Sequence, residues 1–196
     1  MFDLEKIVNI SESCLVTLIT SCLEIPHKET GGFLIGKEDA RFVMGQRCDC
    51  FSLDVAYPVQ TSESGKSFWG PSNLTAYARI KDAIDSMGFQ IMGEYHSHIE
   101  NVPELSNADK KFIKAELEEF QQKGISPPRI EMVLNIEPKK YSRRHNRRCD
   151  CTYFKKRVRC NIRGIKNPLN GYSIMIGAYQ YEESAEDFIE LSVHVP

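Results

Sequence analysis

Residues 89–109 read FQIMGEYHSHIENVPELSNAD and predict a strand, a short loop and the start of a helix. The first eight of these residues are mostly apolar, which is typical of a strand that enters the core. In an extended segment, side chains two positions apart point to the same face, so His96 and His98 can approach one ion. Ser106 suits the N-cap of the following helix, which places Asp109 in the first helical turn.

These residue types are the ones that a hydrolytic zinc site uses. Two imidazoles and one carboxylate fill three corners of a tetrahedron and leave the fourth for water, whose pKa the metal lowers. The pattern H-x-H-x₇-S-x₂-D therefore predicts one catalytic zinc ion, bound by His96, His98 and Asp109. Taken singly, each residue also has a structural interpretation, as a core histidine, a helix cap (Ser106) or a favourable charge at a helix N-terminus.

A second motif lies upstream, where residues 29–36 read ETGGFLIG and match E-x-x-G-x-L-x-G. Together the two motifs resemble the JAMM zinc metalloproteases, also called the MPN-plus or JAB family. The absence of long appended segments makes the chain most similar to the compact prokaryotic JAB-domain isopeptidases, which resemble deubiquitinases. One position departs from the family pattern, because Ile99 stands where a proline usually follows the second histidine. This departure affects the expected loop and leaves the metal ligands unchanged.

The resemblance implies a mechanism and a role for each matching residue. It implies that His96, His98 and Asp109 bind zinc and that Glu29 takes a proton from the zinc-bound water and passes it to the leaving amine. Ser106 would stabilise the oxyanion, a role that suits a positioned hydroxyl donor. The implied substrates are isopeptide or peptide bonds at the C-terminal tail of a ubiquitin-like protein. Glu94, which precedes the first histidine, is interpreted as a non-catalytic strand residue.

The resemblance also implies the fold. It predicts an α/β (α+β) domain with a curved mixed β-sheet flanked by helices, in the cytidine-deaminase-like JAB/MPN architecture. Residues 1–196 would form one domain with a core at about 5–136, and a basic hairpin at 139–166 and a C-terminal strand at 172–181 would pack on it. Periodicity predicts a helix after Ser11, strands at 32–36, 41–46, 48–57 and 130–136, and a helix from Pro71 to about Met87.

Length and composition favour one well-packed globular domain. The chain has 196 residues, of which 41% are hydrophobic, and no apolar run is long enough to span a membrane. The acidic start of the sequence lacks the pattern of a signal peptide, so we expect a cytoplasmic protein. Seven cysteines, an odd number, favour free thiols in a reducing compartment. Two Cys-Asp-Cys triplets either bind a second, structural zinc or act as buried apolar side chains, and their cysteines are Cys48, Cys50, Cys149 and Cys151.

The charge distribution suggests a second function. Residues 139–166 hold 12 Lys and Arg and one acid, a charge of +11, whereas the other 168 residues hold 13 bases and 26 acids, a charge of −13. This segment could bind the phosphates of a nucleic acid, an acidic protein or the acidic part of its own chain, or form a solvated hairpin. The alternative function is therefore a binding module on the same scaffold with a silent metal site. The presence of all five site residues favours the enzyme.

Overall fold

The computed structural model of the protein describes residues 6–43, 46–59, 62–64, 69–71, 73–99, 103–122, 130–141, 149–164, 169–183 and 185–196. More than half of the described residues lie in strands. The three helices of this part of the chain are α1 (Glu12–Glu24), α2 (Leu74–Ser86) and α3 (Asn107–Gln122). The strands are β1 (Ile7–Ile10), β2 (Gly31–Val43), β3 (Gln46–Pro58), β4 (Ser62–Ser64), β5 (Trp69–Pro71), β6 (Gln90–Ile99), β7 (Ile130–Lys140), β8 (Cys149–Phe154), β9 (Arg157–Arg163), β10 (Asn170–Glu182) and β11 (Asp187–His194).

The main sheet closes on itself. Its order is β11-β1-β3-β2-β6-β7-β10-β9-β8, and β10 also pairs with β11. This double pairing arises because β10 is long: residues 171–176 pair with β9, and residues 178–182 pair with β11 along the same edge. Seven strands, from β11 to β10, thus form a closed barrel, while β9 and β8 extend beyond it. A small hairpin of β4 and β5 forms a second sheet.

The predicted fold class is therefore wrong. The sequence was expected to form an α/β (α+β) sheet flanked by helices, in the cytidine-deaminase-like JAB/MPN architecture, but the structure is a mainly β barrel with three helices in its described part. The physical reason is the pairing of the two chain ends. β1 pairs in parallel with both β11 and β3, so the first and last strands close an otherwise open sheet.

Individual elements agree better with their predictions. Ser11 caps α1, since its side chain accepts a hydrogen bond from the backbone N–H of Cys14. The predicted strands at 130–136 and 172–181 lie within β7 and β10. The predicted helix start at Pro71 is wrong, because Pro71 pairs with Ser62 and Asn73 caps α2 instead. The side chain of Asn73 accepts a hydrogen bond from the backbone of the helix, which fixes the later start.

The cysteines show one disulfide, between Cys151 and Cys160 on the paired strands β8 and β9. The expectation of free thiols is wrong for these two. Cys48 and Cys50 are buried in β3, which fits their interpretation as small apolar side chains, whereas Cys149 is exposed on β8. Five strands lie between β3 and β8 in the sheet order, and Cys151 is part of the disulfide, so the two Cys-Asp-Cys triplets do not form a four-thiol zinc site.

None of the described helices combines the length and the apolar character needed to cross a membrane.

Candidate metal centre

The two metal-site histidines lie on one face of β6. Alternation along the strand puts His96 and His98 on the same face as Glu94, and all three side chains are buried. Ser97 points to the opposite face, where its hydroxyl accepts a hydrogen bond of 2.9 Å from the backbone N–H of Thr30. The backbone N–H of Ser97 donates in turn to the Thr30 carbonyl at 2.8 Å. These bonds fix the segment just before β2 against the histidine pair.

Three ligand atoms converge at this face. The Nε2 atoms of His96 and His98 are 3.1 Å apart, and Asp109 Oδ2 lies 3.7 Å from His96 Nε2 and 3.3 Å from His98 Nε2. Tetrahedral zinc with bonds of about 2.0–2.1 Å separates its ligand atoms by about 3.4 Å. The three residues thus have the donor types and the spacing that zinc requires. Among the described residues they are the one group of three or more His, Cys, Asp and Glu with this proximity.

The start of α3 holds Asp109 in place. The backbone N–H of Ser106 donates to Asp109 Oδ2 at 2.7 Å, and the backbone N–H of Asp109 donates to Ser106 Oγ at 3.1 Å. This reciprocal pair is a capping box, which confirms Ser106 as the N-cap. Hydrogen bonds with His96 and His98 outweigh the effect of burial and hold the pKa of Asp109 well below its usual range. Asp109 therefore stays ionised, as a metal ligand must.

Glu29 lies beside this cluster at the entrance to β2. Its position follows from the pairing of β2 with β6, in which Gly31, two residues after Glu29, is in register with His96. The side chain is buried, with 6% of its surface exposed. Burial raises the pKa of Glu29, while the charges of His98 and His96 oppose this rise and that of Asp109 adds to it. The predicted base therefore lies within the electrostatic reach of all three predicted ligands.

Glu131 belongs to the centre but was not predicted from the sequence. Its Oε1 lies 2.9 Å from Nδ1 of His96, so it contacts the ring nitrogen that faces away from the ligand cluster. Burial would lower the pKa of His96, but hydrogen bonds with Asp109 and Glu131 raise it to about 10. Burial raises the pKa of Glu131 itself to about 7, against the opposing effect of His96. The available signal was a charged residue in the run IEMVLNI, in which Asn135 is the one other polar residue.

Glu94 is held by α2 and does not contact the ligand cluster directly. The hydroxyl of Tyr77 donates to its carboxylate, and Lys81 Nζ lies 3.7 Å from Glu94 Oε1. These contacts agree with the interpretation of Glu94 as a strand residue beside the site.

The residues just before α3 are anchored by contacts with β9 and β10. The Tyr179 hydroxyl donates a buried hydrogen bond of 2.7 Å to the carbonyl of Pro103, and Leu105 packs with Val133 and Tyr179. Arg157 on β9 forms an ion pair of 2.9 Å with Glu104. The approach of α3 to the histidines thus depends on contacts with β9 and β10.

The basic segment 139–166 uses part of its charge within the molecule. Besides its ion pair with Glu104, Arg157 donates to the carboxylate of Glu190. The Arg163 guanidinium lies 4.4 Å from the ring centre of Tyr141, and that of Arg159 lies 4.6 Å from the ring centre of Phe154. Residues 142–148 and 165–168 of this segment lie outside the described residues. Binding of nucleic acid or an acidic protein by this segment stays a prediction.

Comparisons with known proteins inform the fold alone. No protein-family model matches the chain, and no curated protein matches it significantly. The chain is similar to the solution structure of protein DSY2949 from Desulfitobacterium hafniense, a target of the Northeast Structural Genomics Consortium. The two are 12% identical, the match covers 96% of this chain and 92% of that one, and the TM-score is 0.52. At this identity the likeness shows that the two chains share a fold.

Proposed function

We propose that the protein is a zinc-dependent metallo-isopeptidase of the JAMM type, which hydrolyses isopeptide or peptide bonds at the C-terminal tail of a ubiquitin-like protein. The observation that carries the proposal is the convergence of two imidazole nitrogens and one carboxylate oxygen at 3.1–3.7 Å. The substrate class comes from the resemblance of the two sequence motifs to that family.

His96, His98 and Asp109 would hold the ion and leave one coordination position open. The open position would face solvent on the Asp109 side of the ion. Asp109 is the most exposed ligand of the three, with 24% of its side chain exposed, whereas the two histidines are buried. The centre is therefore reached by solvent from the side of α3. When bound, zinc lowers the pKa of water and polarises a carbonyl group, which is the chemistry that amide hydrolysis requires.

Glu29 would act as the general base and then as the general acid. A carboxylate with a raised pKa moves protons more effectively near neutral pH than an ordinary surface glutamate. Its burial beside the two histidines supplies this environment. Glu29 would hold the proton on its carboxylate between its removal from water and its delivery to the leaving amine.

Ser106 would donate a hydrogen bond to the oxyanion. Its oxygen accepts a hydrogen bond from the backbone N–H of Asp109, and its hydroxyl interacts with the Asp109 carboxylate, which helps to lower the pKa of that group. In the reaction this hydroxyl would turn from the carboxylate to a substrate oxygen. Ser106 is exposed at the start of α3, so such an oxygen can reach it.

The proposal is tested with a panel of ubiquitin-like proteins, each joined through its C-terminal tail to the lysine of a fluorescent peptide. We expect the wild-type protein to cleave at least one conjugate, to lose this activity with a chelator, and to recover it with added zinc. His98→Ala should be inactive, while His27→Ala, which alters an exposed histidine two residues before Glu29, should remain active. Cleavage that persists in His98→Ala, or no cleavage of any conjugate by zinc-loaded protein, would refute the proposal.

A further inference from the structure

A buried amide without a partner lies next to one of the proposed metal ligands. Asn135 on β7 is 3% exposed, and its Nδ2 has no hydrogen-bond partner in the part of the chain that the structure describes. The same holds for Nδ1 of His98, a residue that is 5% exposed. Buried polar atoms are nearly always paired, so each of these two atoms requires an explanation.

The pairing of the strands places these two residues side by side. β6 and β7 run parallel, with His98 in register with Asn135. On its other side, Asn135 is in register with Met175 of β10, whose thioether is only a weak acceptor. His98 is therefore the polar residue of the two that flank Asn135 in the sheet.

The other histidine shows what the missing contact would be. His96 Nδ1 is bonded to Glu131, and Glu131 and Asn135 lie on the same face of β7 because they are four positions apart in one strand. A metal-binding histidine almost always donates its second ring N–H to a carboxylate, a carbonyl or water. β7 thus presents an acceptor to His96 from Glu131, which is in register with Glu94, and carries Asn135 directly beside His98.

We propose that Asn135 is the positioning residue for His98, with its side-chain carbonyl accepting the Nδ1 proton and holding the ring in the metal-binding tautomer. Coordination through Nε2 requires that the proton of a neutral imidazole be on Nδ1. A half-turn of the Asn135 amide exchanges its nitrogen for its oxygen, which converts a donor into the acceptor that this proton needs. This inference rests on the proposed zinc centre.

The test compares zinc affinities, measured by competition with a chromophoric chelator. Asn135→Leu keeps the size of the side chain but removes the acceptor, and we expect it to weaken zinc binding by roughly 10- to 100-fold. Asn135→Asp retains an acceptor and should bind zinc at least as tightly as the wild type. Leu134→Met is the matched control, because Leu134 is equally buried one position away but packs in the apolar core on the other face of β7. It should bind zinc like the wild type.

A second readout reports the tautomer itself. In long-range ¹H–¹⁵N spectra of the zinc-loaded wild type, we expect a protonated Nδ1 in His98 that exchanges slowly with water. In Asn135→Leu this proton should exchange faster. If Asn135→Leu does not fold, Asn135→Ser replaces it, since its shorter side chain cannot reach the ring and should weaken zinc binding in the same way.

The outcomes separate this inference from the proposed function. A folded Asn135→Leu or Asn135→Ser protein with the zinc affinity of the wild type would overturn the role of Asn135, whether or not the enzyme cleaves conjugates. Weakened zinc binding in these variants, together with a wild type that binds zinc but cleaves no conjugate, would support Asn135 and refute the isopeptidase. A wild type that binds no zinc would refute both.

Discussion

His96 lies between two carboxylates, and this determines how it exchanges a proton for a metal ion. Its hydrogen bonds with Asp109 and Glu131 overcome the effect of burial and raise its pKa to about 10. In the metal-free protein the ring is therefore a cation at neutral pH, and zinc must displace its proton. Metal binding and proton release are thus coupled at this residue.

This coupling predicts a pH dependence of zinc affinity. Below pH 10 His96 is protonated in the metal-free state, so the affinity should rise by about tenfold per pH unit between pH 7 and 9. An unperturbed histidine, with a pKa of about 6.5, would give little further increase over this range. Chelator competition at several pH values measures the slope. A plateau near pH 7 would show that the carboxylates do not hold the proton on His96.

At Glu29, removal of the charge should separate catalysis from metal binding. Glu29→Gln keeps the shape of the side chain but cannot accept a proton, so we expect hydrolysis to slow by about 10²- to 10⁴-fold while zinc content stays the same. Glu24→Gln, at the exposed end of α1, is the matched control and should keep full activity. Loss of zinc together with activity would mean that Glu29 is a ligand and not the base.

Among the elements, the start of α3 combines a structural and a chemical role in Ser106. Ser106→Ala removes the cap and should lower the free energy of unfolding by about 1 kcal/mol, and loss of the hydroxyl donor should slow hydrolysis by about 10²- to 10³-fold. Ser106→Asp offers a cap acceptor without a hydroxyl, so it should restore stability but not activity. Denaturant unfolding and the conjugate assay measure the two effects. Full activity in Ser106→Asp would exclude the hydroxyl from the reaction.

The loop before α3 depends on one buried hydrogen bond. Tyr179→Phe removes the hydroxyl that donates to Pro103 and leaves a buried carbonyl unpaired, so the free energy of unfolding should fall by about 1–3 kcal/mol. Tyr153→Phe is the control, because Tyr153 also donates to a backbone carbonyl but is 55% exposed. Its effect on denaturant unfolding should be clearly smaller. Equal effects of the two substitutions would mean that the Tyr179 bond does not anchor the loop.

At the same scale, local sequence patterns predicted the ligand cluster because each of its parts is local. The two histidines share a face because they are two positions apart in a strand, and Asp109 is oriented by a cap three residues earlier. Glu131 was not predicted because its contact with His96 depends on the parallel pairing of β6 with β7. These two strands are joined through α3 and are therefore not neighbours in sequence. The alternation of polar and apolar residues within a strand indicates which side chains share a face. It does not indicate which other strand lies beside it in the sheet.

For the whole molecule, closure of the barrel could not be read from the sequence for the same reason. It depends on β1 pairing with β11, in which Ile7 is in register with Ser192 at the other end of the chain. Periodicity within each strand carries no information about a partner at that distance. Without this pairing, the predicted strands and helices were compatible with an open sheet. The proximity of His96, His98 and Asp109 was therefore easier to predict than the fold that brings them together, and their binding of a metal stays a prediction.

Metal content of the whole protein tests the central claim most directly. Elemental analysis of wild type beside His98→Ala and Asp109→Ala should find one zinc per wild-type chain and none in either variant, because each substitution removes one of the three converging ligand atoms. His27→Ala should retain the full zinc content. Wild-type protein without zinc, or zinc that survives both ligand substitutions, would contradict a catalytic zinc centre formed by His96, His98 and Asp109.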